Sequence, residues 1–311
     1  MNHIGNVIKE VRCNLDMSRN ELSENVCSEK YLYLIEKGER TPSTDIVRLF
    51  SAKLGADLFE YYKYLDCDDP VKVFEAIKQF NTYRRIADFE SLKKLNDSIA
   101  VLPDFQKMHW KYEIEVNRIT CMVFLEQKYN EAITCINEIL KQIEPMYLEE
   151  EYTANLYLLL STCYQILNEI VGATQALSKA DQIVHNKQNI AKYNQIIVSV
   201  KLNTMTLYHL NGEYDAAIEE GLSINRFQLE SNSYERANFT FYYLAYAYYK
   251  KGLNEDAFEW FEKCLYDFLI HYSPIPAYYI SNYNLFYELL NDKRVSHELV
   301  TKIRNKYDFI K

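Results

Sequence analysis

The chain has 311 residues, enough for a small domain joined to a larger one, and it carries seven glycines and six prolines against 28 tyrosines. So few turn breakers exclude a sandwich or barrel, which needs a turn signal about every ten residues. No run approaches 18 apolar residues and the N-terminus lacks the apolar core of a signal peptide, so the expectation is a soluble, cytoplasmic, all-α protein without a membrane partner.

Charge is spread unevenly. Residues 1–64 hold nine Lys/Arg and ten Asp/Glu, a balance of −1, which leaves −8 of the total −9 for the rest. An acidic body repels nucleic acid over most of its surface, so DNA binding would need a small local face. The seven cysteines are scattered, none in a C-x-x-C pair, which predicts reduced thiols and no metal site.

Ile4, Val7, Ile8, Val11 and Leu15 recur at three and four residues and predict an amphipathic first helix. Ser18 with Glu21 three residues on is a capping box opening a short second helix, and Asn25 sits where a tight turn needs a left-handed residue. Ser28 caps a third helix with Leu32 and Ile35 on one face and Glu29 at its positive end. Lys37-Gly38 stops it, and Thr41-Pro42-Ser43 leads into a fourth with Ile46, Val47, Phe50 and Leu54 inside. Gly55 ends that helix, and a short fifth runs from about Leu58 to Tyr64.

A short helix, a tight turn and a capped helix make a helix-turn-helix. Leu22, Leu32, the run Ile35-Glu36-Lys37-Gly38-Glu39-Arg40 and Pro42-Ser43 resemble the lambda-repressor-like, XRE-type DNA-binding domain. The resemblance implies that the third helix enters the major groove and presents Glu29, Lys30, Tyr33 and Leu34 to base edges. Arg19, Ser28, Arg40 and Ser43 are the matching phosphate anchors. Arg12 and Glu36 match positions that pair inside the family's domain, so a structural ion pair is expected.

Asp66-Cys67-Asp68-Asp69-Pro70 breaks the helical pattern, giving a DNA-binding domain over 1–65, a linker over 66–72 and a second domain over 73–311. Within the second domain Leu92, Ala132, Ala173, Ala217, Ala257 and Ser296 recur at spacings of 40, 41, 44, 40 and 39, and nine residues before them stand Tyr83, Val123, Tyr164, Tyr208, Tyr248 and Tyr287. The reading is six helix pairs, each with a small residue where two helices cross closely, stacked into a right-handed superhelix. Leu244-Ala245-x-x-Tyr248, Gly252, Ala257 and Phe261 resemble the tetratricopeptide repeat, although the period exceeds that repeat's roughly 34 residues. HEAT-like pairs share the longer period but not the Gly/Tyr/Ala signature.

Such a stack has a concave face lined by the first helix of each pair. Projecting the repeat's groove positions onto this chain gives Asn117, Asn155, Gln165, Tyr242, Tyr246 and Lys250, with Asn203 and Asn238 one position away. Carboxamides suit a peptide groove because each can pair with both the N–H and the C=O of an extended backbone.

The helix-turn-helix followed by a repeat array resembles the peptide-pheromone-responsive regulators of Gram-positive bacteria, the Rgg, Rap, NprR, PlcR and PrgX group. The resemblance implies a homodimer whose repeat domain binds a short imported signalling peptide, and whose paired DNA-binding domains then sit differently on promoter DNA. Six dispersed histidines, no G-x-S-x-G and no P-loop argue against an enzyme, and no cofactor is expected. The rival is a protein-binding adaptor whose N-terminal domain no longer reads DNA.

Overall fold

The computed structural model describes residues 2–148, 150–187, 193–234, 236–270 and 284–306. They are helical throughout, and they divide into two compact units, residues 1–83 with 94–111, and residues 84–93 with 112–311.

The first unit opens with α1 (Ile4–Asn14), α2 (Arg19–Ser23), α3 (Glu29–Glu36), α4 (Thr44–Leu54) and a 3-10 turn over Leu58–Tyr64. The polar caps form as their chemistry demands. Ser18 accepts from the Glu21 N–H while Glu21 accepts from the Ser18 N–H, and Ser28 and Ser43 accept from Tyr31 and Ile46. Asn25 takes the left-handed conformation at φ 59°. Ile4, Val7, Ile8, Leu22, Leu32, Ile35, Val47, Phe50 and Leu58 form the core. Leu15 departs from the expected stripe: α1 ends one residue earlier, and Leu15 is 51 % exposed.

Gly5 decides how closely α1 lies on α3. A Cβ there would stand 1.8 Å from the Ile35 carbonyl oxygen, so only glycine allows the two backbones to meet.

The stretch read as a linker is bonded in place. Asp104 accepts from the N–H groups of Asp68 and Asp69 at 2.8 and 2.9 Å, and Lys107 donates to Asp104 at 2.6 Å. Asp69 accepts from the Lys72 N–H, and Pro70 begins α5 (Pro70–Ile86), so Asp69-Pro70 is a capped helix start. Tyr61 and Tyr64 pack on Phe74, and Tyr64 stacks on Trp110 at 5.0 Å. These contacts carry the first unit past residue 72, and compactness therefore divides the chain elsewhere than at 66–72.

The remaining helices are α6 (Phe89–Ile99), α7 (Met108–Phe124), α8 (Tyr129–Gln142), α9 (Glu151–Ile166), α10 (Ile170–Val184), α11 (Asn194–Asn211), α12 (Tyr214–Glu230), α13 (Ala237–Lys250), α14 (Asn254–Ile270), α15 (Asn284–Leu290) and α16 (His297–Lys306). They follow the repeat. In the second unit α9 packs on α10, α11 on α12 and α13 on α14, while α9 also meets α11 and α11 meets α13, so successive pairs stack through their first helices. Ala132, Ala173, Ala217 and Ala257 are all fully buried at the crossings.

The turn inside each pair repeats too. Ala87, Gln127, Asn168, Gly212 and Gly252, each five residues before the small anchor, all have φ between 54° and 76°. The carbonyls of Tyr164, Tyr208 and Tyr248 accept from the N–H groups of Glu169, Glu213 and Leu253 at 2.8–3.0 Å. The recurrent tyrosine therefore also marks the last helical turn before a left-handed cap. Glycine occupies that cap in only two of the five turns, at Gly212 and Gly252.

Candidate functional site

In the first unit the reading helix stands on a buried ion network. The Arg12 guanidinium donates to both Glu36 oxygens, at 2.7 and 3.4 Å, and to the Met17 carbonyl at 2.7 Å. Arg19 donates its Nε to the other side of the same carboxylate at 2.5 Å. Glu36 is 1 % exposed at its side chain, so this carboxylate locks α1, α3 and the start of α2 together. The paired Glu36 holds the Arg12 charge firmly, raising its pKa through the hydrogen bond between them.

Around this network the expected DNA-facing residues reach solvent. Ser28, Glu29, Lys30, Arg40 and Ser43 are exposed, Tyr33 is 41 % exposed, and Arg19 and Leu34 are half-buried. Lys30 has no ion pair among the described residues, leaving its ammonium available for a base edge or phosphate. Tyr33 lies between two cations, with Arg19 and Lys37 at 5.3 and 5.5 Å from its ring centroid. Ser28 and Ser43 use their oxygens as caps yet keep an O–H to donate. Lys53 donates to the Glu21 and Glu24 carbonyls and closes the C-terminal end of α2.

The second unit contains a cavity of about 100 Å³ that opens to solvent. Arg84 of α5, Thr120 of α7, Asn155 and Thr162 of α9, Ser199 and Asn203 of α11, and Arg236 just before α13 supply its polar groups. Phe89, Val116, Phe124, Leu158 and Leu159 supply apolar wall between them. Val116, Thr120 and Phe124 step by four along α7, as do Ser199 and Asn203 along α11, so each helix gives the cavity one face. An apolar wall with a few fixed polar groups is what holds a small ligand in one orientation.

Asn155 and Asn203, two of the projected residues, both line this cavity, but their states differ. The Asn203 amide donates to the Ser199 carbonyl at 2.9 Å, and its oxygen accepts from Gln165 and Thr162 at 3.2 and 3.4 Å. Gln165 is therefore linked to the cavity through Asn203. Asn155 has no side-chain hydrogen bond among the described residues, so both halves of its carboxamide are open.

The other projected residues lie apart from this cavity. Asn117 is fully buried on α7, with neither amide atom paired among the described residues. Tyr242 is 2 % exposed in the core of the C-terminal pairs. Tyr246 is half-buried, Lys250 is exposed with its ammonium 5.6 Å from the Tyr246 centroid, and Asn238 is half-buried near the start of α13. His209 contacts the rings of Tyr214, Tyr243 and Tyr246, and desolvation there lowers its pKa to about 4.

Arg84, Thr120, Thr162, Ser199 and Arg236 escaped the sequence reading. Thr162 and Ser199 sit one helical turn from Gln165 and Asn203, a spacing that could have found them. Arg236 lies in a turn and carries no periodic signal.

Among the described residues no helix is long and apolar enough to cross a membrane, and no group of three or more His, Cys, Asp or Glu could hold a metal ion. Residues 8–61 match the family model described as helix-turn-helix. No curated protein matches the sequence. Among solved structures the chain is similar to Bacillus thuringiensis PlcR in complex with the peptide PapR7 and DNA, with 17 % identity, 94 % of this chain and 100 % of that chain covered, and a TM-score of 0.65. Apo PlcR from the same organism gives 15 % identity, coverage of 93 % and 98 %, and a TM-score of 0.56. ComR of S. thermophilus, solved with DNA and its signalling peptide ComS, is more distant: 16 % identity, coverage of 97 % and 98 %, and a TM-score of 0.44. Residues 8–61 of this chain are a helix-turn-helix domain, and the chain as a whole has the fold of PlcR.

Proposed function

We propose that this chain is a peptide-responsive transcription regulator that binds promoter DNA as a homodimer through α3 and takes a short signalling peptide into the cavity of its repeat unit. The cavity carries the reading. It is faced by the first helices of successive pairs, and it offers the open Asn155 carboxamide beside apolar wall, which suits an extended backbone with apolar side chains. The exposed Lys30, Arg40 and capped helix starts of the helix-turn-helix support DNA as the second partner. PlcR, which has the same fold, was solved with both a peptide and DNA.

The switch is a population shift. A peptide that binds one arrangement of the stacked pairs more tightly by about 1–3 kcal/mol changes the occupancy of the state whose reading helices fit two half-sites. A two-fold dimer requires a matching symmetry in the operator.

Electrophoretic shifts over a salt series, with duplexes from the region upstream of the gene, test this. Lys30→Ala is expected to relax base preference by about 1–3 kcal/mol. Arg19→Ala and Arg40→Ala weaken binding to every duplex and flatten its salt dependence. A monomer indifferent to every duplex, with Lys30→Ala silent, would leave the adaptor as the better account.

A further inference from the structure

We infer that the ligand of the cavity is acidic, and that a carboxylate of the peptide pairs with Arg236. The inference rests on the peptide reading above and adds the chemistry the peptide must carry. Of the described residues lining the cavity, two are arginines and none is a carboxylate. Arg84 is matched, its guanidinium lying 3.3 Å from Glu113. Arg236 is half-buried and its side chain has no hydrogen bond or ion pair among the described residues. A guanidinium partly withdrawn from water without an anion is unfavourable, and a ligand carboxylate removes that cost with two parallel N–H···O bonds.

The backbone independently marks the same residue. Arg236 occupies the N-cap of α13 with φ 57°, and its side chain makes no capping hydrogen bond. An N-cap favours Ser, Thr, Asp or Asn because their oxygens accept from the first N–H groups, which a guanidinium cannot do. The left-handed conformation also disfavours a residue with a Cβ. Arginine here breaks two local rules on the wall of a cavity, as residues kept for binding do. The positive end of the 14-residue α13 adds to the attraction for an anion.

The test captures degenerate heptapeptides on the full-length protein and identifies them by mass spectrometry. One pool has free C-termini but no Asp or Glu, a second has amidated C-termini with Asp and Glu allowed, and a third has neither carboxylate. At least one of the first two is expected to be retained about tenfold or more over the third, and which one tells a terminal carboxylate from a side chain. Arg236→Gln abolishes that preference while neutral peptides still bind. Arg236→Gly does the same without lowering the melting temperature, because glycine suits the φ. Equal retention of all three pools, or a preference that survives Arg236→Gln, overturns the inference and leaves the peptide reading standing. Retention of no pool by the unsubstituted protein overturns both.

Discussion

Replacing Glu36 by Gln removes one charge from the centre of the helix-turn-helix and nothing from its shape. Arg12 is 9 % exposed at its side chain and its charge is then unmatched. Breaking a buried pair from one side costs about 3–5 kcal/mol. Arg12 keeps its bond to the Met17 carbonyl, and the Gln oxygen still accepts one hydrogen bond, which places the cost near the lower end, at about 3 kcal/mol. Arg19, 35 % exposed, adds at most about 1 kcal/mol because water screens it. The chain has two compact units, so a single melting curve mixes two transitions, and hydrogen exchange read amide by amide is the better assay. Protection in α1 and α3 is expected to fall about a hundredfold, with α9 to α14 unchanged. The double variant Arg12→Met, Glu36→Leu recovers most of the loss, since no charge is left buried. Protection in α3 that stays within threefold of the parent, or a double variant worse than the single, would refute the reasoning.

Three further outcomes follow from the same geometry. Gly5→Ala gains about 1 kcal/mol of helix propensity but must open the α1–α3 contact by about 1.2 Å to bring its Cβ from 1.8 to 3.0 Å, so strain of roughly 1–3 kcal/mol wins and DNA affinity falls with stability, checked by paired melting and shift assays. Asn155→Ala is expected to lower peptide affinity without changing the melting temperature, whereas Asn203→Ala lowers both, since it removes the bond to the Ser199 carbonyl and one acceptor of Gln165; equal melting losses would mean that Asn155 is a packing residue. His209 titrates at about 4 when folded and near 6.5 when unfolded, so the unfolded state binds the extra proton between these values. Stability contributed by neutral His209 is therefore present above pH 6.5 and lost as the pH falls toward 4, by at most about 3 kcal/mol, and a His209→Phe variant should show a shallower acid loss over that window.

Local chemistry made the helix-turn-helix legible almost residue by residue. Ser18, Ser28 and Ser43 cap because a hydroxyl oxygen is the nearest acceptor for an orphan N–H, and Asn25 turns because it tolerates a left-handed backbone. Those effects act over three or four residues, and no distant segment overrode them. The repeat was legible for a related reason: burial without a gap at each helix crossing demands a small side chain, so Ala132, Ala173, Ala217 and Ala257 recur at the period of the fold.

Which polar groups share the inner cavity was decided by tertiary structure. Asn117 and Asn155 look alike in sequence, yet one is sealed in the core and the other stands open in the cavity wall, because the rotation of each helix about its axis depends on how its neighbours pack. Arg236 shows the limit most clearly. It belongs to no periodic pattern, and only the path of the chain into α13 brings its charge to the wall of a cavity whose nearest other lining residue in sequence is Asn203. Periodicity and caps act through neighbours along the chain and can be read from it, whereas a binding surface is a relation between helices that exists only once they have packed.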